Sequence, residues 1–466
     1  MTHAEQYLVI WSFFPKVLGL IYLFVFFPFT RQMMGLFGSE GILPMGRFMN
    51  WMEKVFEKKP LRKLWRMPTL FWWVRGDREL TLFPWVGCFF AVLLLFGVWP
   101  LIVLPILMFL HLSLINSGQD FLSFGWELFL MEIAINCWVW FLSPTPLIWI
   151  SLNLLLFRFH FEAGISKLIS RDVNWRAMRG LCYHYESQPL PNTLAYFAHK
   201  APLWFQKFSC AFMLFIEIVI PFLIFLPGPF RIIAFALLVG LQVVIWLTGN
   251  FSYLNHMTVL FCLILLPDTL FGVTAKSEPF FLATFVSWVL GSVLLGLQVM
   301  RLSTRIFPLG RFSKLFYWIA PFHFVNRYGI FAVMTTERIE IVVEGSNDQV
   351  EWKEYLFKHK PSELTRRPRR ISPYQPRLDW QAWFLPFTSY ADEPWIQSLV
   401  HCLLRGSEPV QKLFRSVPFK DSPPKYIRLK AYLYKYTSNR KRKETGCWWE
   451  RVEVGNYSPT LSLEEK

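Results

Sequence analysis

Residues Leu156–Pro191 read LFRFHFEAGISKLISRDVNWRAMRGLCYHYESQPLP, and they begin inside an apolar run fit to cross a membrane that nevertheless keeps Arg158, His160, Glu162 and Lys167. Each ionisable side chain at membrane depth costs about 2.5–3.5 kcal/mol on insertion scales, so such groups face a bundle interior or a wet cavity and mark function by default. At helical spacing His160, Gly164 and Lys167 share one face, while Arg158 and Glu162, one turn apart, can pair. Two readings of Lys167 stand side by side. A partly buried lysine loses hydration, which disfavours its ammonium form and makes a usable base, with His160 or His184 as auxiliary proton carriers. Equally, Lys167 can pair with a carboxylate such as Glu132 or Glu217 and hold helices together.

The flanking sequence makes this a membrane bundle. Thr81–Gln119 contains no Asp, Glu, Lys or Arg. As one helix it would run about 58 Å at 1.5 Å per residue, against a bilayer core of roughly 30 Å, so it is two spans with a break near Pro100. Tyr7–Phe29 reads as an uncleaved anchor, Phe121–Leu142 as a fourth span carrying Glu127 and Glu132, and Pro146–Lys167 as a fifth. Phe208–Leu226, Phe230–Thr248, Phe251–Leu266 and Phe280–Met300 complete a bundle of about nine spans. Of 466 residues, 54% are hydrophobic, with 48 Phe and 22 Trp, which excludes an ordinary soluble domain. The net charge of +16 comes without a nucleic-acid-binding module and fits basic loops lying against anionic head groups. The seven cysteines form no CxxC pair, so neither zinc nor a disulfide framework is implied, and a Cys402–Cys447 bridge requires an oxidising compartment. No metal or other cofactor is expected.

Several polar residues inside the spans have two readings. Gln119 and Asp120 open the fourth helix, where Asp is a favoured N-cap; the alternative is cavity lining. Glu127 and Glu132 are five residues apart, off a common face, and need cations, for which Arg158 and Lys167 are available. Asn255 and His256 fall within the eighth span, where an interhelical hydrogen bond accounts for them. An extended YHYESQPLP segment puts Tyr183 and Tyr185 on one face and His184 and Glu186 on the other. It either floors a polar cavity beside Lys167 or docks as a proline-stiffened loop.

Beyond Arg301 the pattern changes to strands: Arg338–Val343, Val350–Phe357, Lys425–Tyr436 and Trp448–Val454, with a largely helical insertion over Leu378–Leu404. Arg366–Pro376 reads as a solvated linker. The chain thus divides into a bundle over residues 1–300, with polar loops 30–80 and 168–206, and an extramembrane β-rich domain over 301–466. Asn250 and Asn456 fall in N-x-S sequons. Both basic loops obey the positive-inside rule only if they and the β-rich domain are cytoplasmic.

NSGQDFLSFGWELFLME (Asn116–Glu132), FRFHFEAGISKL (Phe157–Leu168), YHYESQPLPN (Tyr183–Asn192), GNFSYLNHMTVL (Gly249–Leu260) and SPYQPRLDWQAWF (Ser372–Phe384) together resemble the lipase maturation factor family. That resemblance implies an integral membrane protein that assists folding or assembly of a secreted lipase-like client. It implies the endoplasmic-reticulum membrane in a eukaryote or the inner membrane in a bacterium. It further implies an extracytoplasmic C-terminal domain, against the charge rule, whose exposed aromatics (Trp380, Trp383, Trp395, Trp448 and Trp449) meet the client. Gly164-Ile165-Ser166-Lys167-Leu168 with Asn174-Trp175 is also similar to a stretch of vitamin-K-dependent γ-carboxylases, a distant likeness to that wider membrane superfamily. There the matching lysine is the catalytic base, although Ser166 stands where that pattern has another lysine. The likeness implies an alternative function as a membrane enzyme using Lys167, and a lipid-binding or transport protein with the same cavity is a third reading.

Overall fold

The computed structural model describes residues 8–58, 60–271, 280–305, 307 and 310–463. Among them, the helices that build the membrane region are α1 (Leu8–Phe26), α2 (Phe29–Phe37), α3 (Asp77–Leu95), α4 (Pro100–Ser117), α5 (Gly125–Leu142), α6 (Pro146–Ile169), α7 (Gly180–Ser187), α8 (Leu203–Ile218), α9 (Pro229–Thr248), α10 (Leu254–Cys262) and α11 (Phe281–Ser303). Of the described helices, seven are long and apolar enough to span a membrane, or eight if α1 and α2, bent by 41°, make one broken span. The expected count of nine is thus approximate. α10 and its short continuation, Leu254–Leu265, form only a short apolar helix. The uncharged run breaks where proline dictates: α3 ends at Leu95, and Pro100 opens α4, where its missing N–H costs nothing.

The C-terminal part is an antiparallel sheet of six strands: β1 (Arg338–Ser346), β2 (Lys353–Phe357), β3 (Phe414–Ser416), β4 (Tyr426–Tyr436), β5 (Trp449–Asn456) and β6 (Leu461–Ser462). Their order is β3-β2-β1-β4-β5, with β6 against β4. Two helices, α12 (Arg377–Ala382) and α13 (Pro394–Leu404), lie between β2 and β3 in sequence and pack into the same core as the sheet. β1 is central and nearly all buried, because bundle and sheet share one continuous apolar core.

That continuity corrects the expectation of exposed aromatics. Trp380 is buried, with its ring edge-on to Trp126 at 4.9 Å and to Phe124 at 5.7 Å, and Trp395 meets Phe121 at 5.7 Å. Trp449 is buried as well; Trp383 and Trp448 are half-buried. Trp380 and Trp395 fill the seam between sheet domain and bundle. The Arg366–Pro376 stretch is likewise no free linker. Asn250 donates to the carbonyls of Leu190 and Arg369 and accepts from the N–H groups of Ile371 and Ser372, strapping the segment to the bundle. A side chain so committed and buried is closed to glycosylation, whereas Asn456 is exposed.

The same body includes both basic loops. Gly35 of α2 lies so close to Pro409 and Leu413 that a Cβ would fall 2.5 Å from the Pro409 carbonyl oxygen. On β1, Arg338 donates to the carbonyls of Glu186, Gln188 and Pro189, satisfying acceptors at and just beyond the end of α7. All seven cysteines are free thiols, and Cys402 rests against the carbonyls of Glu40 and Gly41, away from any bridge to Cys447.

Candidate functional site

Two buried charge clusters and one cavity account for most of the buried ionisable residues of the bundle. In the first cluster, Glu127 of α5 receives the Arg377 guanidinium at 2.8 Å through one oxygen, and His111 at 2.7 Å and the Tyr253 hydroxyl at 2.5 Å through the other. Arg377 also donates to the Phe121 carbonyl, lies over the Phe29 ring, and its backbone N–H reaches Gln32. No part of the Arg377 or Glu127 side chain is exposed. The first turn of α12 is therefore keyed into the end of the bundle.

In the second cluster, Arg158 donates to Glu132 at 2.6 Å and to Glu162 at 3.4 Å, the latter being the pairing expected from their spacing. The segment that leads into the sheet domain completes it. Asn326 and Tyr328 bind Glu132 through a backbone N–H at 2.9 Å and a hydroxyl at 2.6 Å. Arg305 and the Tyr328 N–H bind Glu162 at 3.0 and 2.9 Å. Every carboxylate here has its cation, which is how a low-dielectric interior tolerates charge.

The cavity lies between α6, α8, α9 and α10, has a volume of about 600 Å³, and is floored by α7. His160, Lys167, His184, Glu217, Asn255 and Gln242 are its main polar lining, and most of the rest is apolar. The structure brings together the three residues singled out as a possible acid–base set, His160, Lys167 and His184. The missing Cβ of Gly164 explains part of this geometry. A methyl there would sit 2.8 Å from the Glu217 Cβ and 2.6 Å from Ile218, so only glycine lets α6 and α8 come this close. That approach puts the Lys167 ammonium 2.7 and 3.0 Å from the two Glu217 oxygens and 3.1 Å from the Ala163 carbonyl. Its partner is thus Glu217, one of the two carboxylates its position suggested.

His184 reaches the cavity differently from expectation. Gly180–Ser187 is helical, not extended, because Pro189 constrains only the residue before it and the upstream residues are free to wind. The His184 ring stacks parallel to Phe251 at 6.1 Å and edge-on to Phe331 at 5.1 Å. Burial, reinforced by the nearby Lys167 charge, pulls its pKa down to about 4.

Asn255 donates to Gln242 at 2.9 Å, the expected interhelical bond, whereas His256 departs from that expectation and packs edge-on to Trp246 and Phe24. Gln119 and Asp120 belong neither to the cavity nor to the two clusters. They lie in a single turn of 3-10 helix, and Phe124 rather than Asp120 stands at the N-cap of α5. His111, Arg305, Asn326, Tyr328 and Arg377 complete the clusters without being marked by the sequence pattern. For Arg377 a signal exists, since it lies inside the SPYQPRLDWQAWF motif. Among the described residues, no group of three or more His, Cys, Asp or Glu side chains is placed to hold a metal ion.

An apolar bundle with an internal, largely apolar pocket, joined to a sheet domain through buried charge, defines an integral membrane protein with a fixed extramembrane head. Residues 10–273 match the family model described as the lipase maturation factor transmembrane domain, and residues 324–459 match the lipase maturation factor C-terminal domain. The chain belongs to the lipase maturation factor family. It is 32% identical to lipase maturation factor 1 of Homo sapiens, an alignment covering 97% of this chain and 87% of that one. It is 30% identical to lipase maturation factor 2 of Xenopus tropicalis, covering 99% and 83%. No solved structure matches the chain.

Proposed function

We propose that this protein assists the folding or assembly of secreted lipase-like clients, acting from the endoplasmic-reticulum membrane in a eukaryote or the inner membrane in a bacterium. The carrying observation is that both halves of the chain match lipase maturation factor models. In this reading the sheet domain, held rigidly on the bundle by Arg377 and Arg338, presents the client-facing surface. Trp380 and Trp395 serve the seam, so the client-facing aromatics are Trp383 with Phe384 and Phe387, which pack on it at 5.0 Å each and are themselves exposed. The sheet domain then faces the compartment where the client folds, against the charge rule.

The test is co-expression with a candidate secreted lipase, recording lipase activity per unit of secreted protein. The Phe384→Ala/Phe387→Ala variant is expected to lower that ratio at normal abundance of the variant. An unchanged ratio removes this cluster from client contact. Protease added to sealed microsomes is expected to leave the sheet domain intact; its digestion refutes the assigned side. The carboxylase-like alternative rests on resemblance alone, and an ammonium held by both oxygens of Glu217 is poorly placed as a free base.

A further inference from the structure

Both charge clusters keep a buried nitrogen without a partner among the described residues (His111 Nδ1, Arg377 Nε, Arg305 Nε), but only in the cavity do such atoms belong to side chains that line open space. The His160 Nδ1 lies 3.0 Å from the Leu156 carbonyl, which only accepts, so Nδ1 carries the proton and Nε2 is an acceptor. That Nε2 is buried and has no partner among the described residues, and neither has the Asn255 Oδ1. Both residues line the cavity and are 2% exposed. Orphaned buried acceptors cost about 1–3 kcal/mol each, a cost removed by a ligand that donates.

Charge narrows the ligand further. Lys167 and Glu217 cancel each other, and His184 is neutral at ordinary pH, so the lining carries no net charge. A phosphate, carboxylate or ammonium brought inside would lack a counter-ion. The walls are otherwise mostly apolar, and the volume falls within the roughly 300–1,000 Å³ of small-molecule sites. The route in is lateral. Phe208 and Phe212 of α8 and Val244 of α9 line the cavity and are 60%, 44% and 52% exposed, on helices apolar enough to stand in lipid.

We propose that this cavity takes a neutral, hydroxyl-bearing single-chain lipid of the monoacylglycerol type, entering from the bilayer between α8 and α9 with its two hydroxyls donating to His160 Nε2 and Asn255 Oδ1. The chain occupies the apolar end between Phe208, Phe212 and Val244. This goes beyond client maturation and stands whether or not a lipase is the client.

The test uses the full chain in phosphatidylcholine nanodiscs with a diazirine-bearing monoacylglycerol, followed by peptide mapping. Gly240 lines the cavity, and a Cβ there meets nothing within 4 Å, so Gly240→Phe fills the space without displacing backbone. Ala236→Phe, another lining position, is the second plug. Gly296→Phe on α11, equally open but outside the cavity, is the control. Labelling is expected on α8 and α9, reduced about tenfold by either plug and unchanged by the control. Unlabelled monoolein is expected to compete, with oleate and lysophosphatidic acid failing at the same concentration, and His160→Leu is expected to erase that preference. Labelling that survives both plugs, or falls equally in the control, overturns the site. Equal competition by oleate overturns the hydroxyl assignment.

Discussion

Replacing Arg377 with methionine tests whether the sheet domain is locked to the bundle by buried charge. Methionine keeps much of the packing over Phe29 but removes the guanidinium on Glu127 and the donation to the Phe121 carbonyl. Glu127 would keep His111 and Tyr253 but lose its full cation. Breaking a buried pair from one side costs about 3–5 kcal/mol. Counting two charge-assisted hydrogen bonds at about 1.5–3 kcal/mol each gives a similar range. Against a whole-domain stability of roughly 5–15 kcal/mol, that loss is severe. The assay is an SDS titration of the purified full chain followed by Trp fluorescence, repeated for Glu127→Gln and for the double variant. In the double variant the amide introduced by Glu127→Gln still bonds His111 and Tyr253 and strands no charge. The cycle is therefore expected to show coupling of about 2 kcal/mol or more. A cost below about 1 kcal/mol for Arg377→Met, or additivity within about 0.5 kcal/mol, would refute the lock.

Trp380→Ala should destabilise by about 3–5 kcal/mol, read as lost abundance rather than as weakened client capture; a stable variant with selectively lost client binding would return Trp380 to the surface. Lys167→Met strands Glu217 and should lower abundance. Lys167→Met/Glu217→Gln should restore both abundance and lipase yield, and restored abundance with absent yield would instead make Lys167 a functional centre. His184 has a folded pKa of about 4 against an ordinary value near 6.5. The unfolded chain therefore binds the extra proton first. Its contribution is complete above pH 6.5 and is lost as pH falls from 6.5 towards 4, at up to about 1.4 kcal/mol per unit. His184→Phe should flatten that part of the stability–pH curve, and identical curves for the two proteins would refute the assignment.

Most of the spans, the break at Pro100, the four main strands and the Arg158–Glu162 pair are legible in the sequence because each rests on composition or short-range period. What is not legible comes from distant contacts. Nothing local marks Trp380 as buried, since its covering rings, Phe124 and Trp126, lie far upstream at the start of α5. Arg377 and Glu127 are likewise 250 residues apart. α7 departs from the extended reading because Pro189 and Pro191 restrict only their own neighbourhood, leaving Gly180–Ser187 free to coil. The candidate site is half visible: His160 and Lys167 share a helical face, and Glu217 and a floor carrying His184 stand among the readings of the sequence, but only folding selects Glu217 over Glu132 and adds Asn255 to the same space.

The contrast between the clusters and the cavity bears on where function resides. Glu127, Glu132 and Glu162 are each met by an arginine, and two of those contacts reach residues beyond the bundle's spans, Arg377 and Arg305. Interactions so complete resist rearrangement, because moving the head outward would leave an arginine and a carboxylate unpaired in a dry interior. The sheet domain is thus a fixed platform, and its orientation is set by the bundle. Around Lys167 the pairing is also complete, yet His160 and Asn255 beside it keep acceptors with no partner among the described residues. Those two atoms belong to buried side chains that line a cavity reached from the lipid side past Phe208, Phe212 and Val244, and that is where a ligand would complete the set.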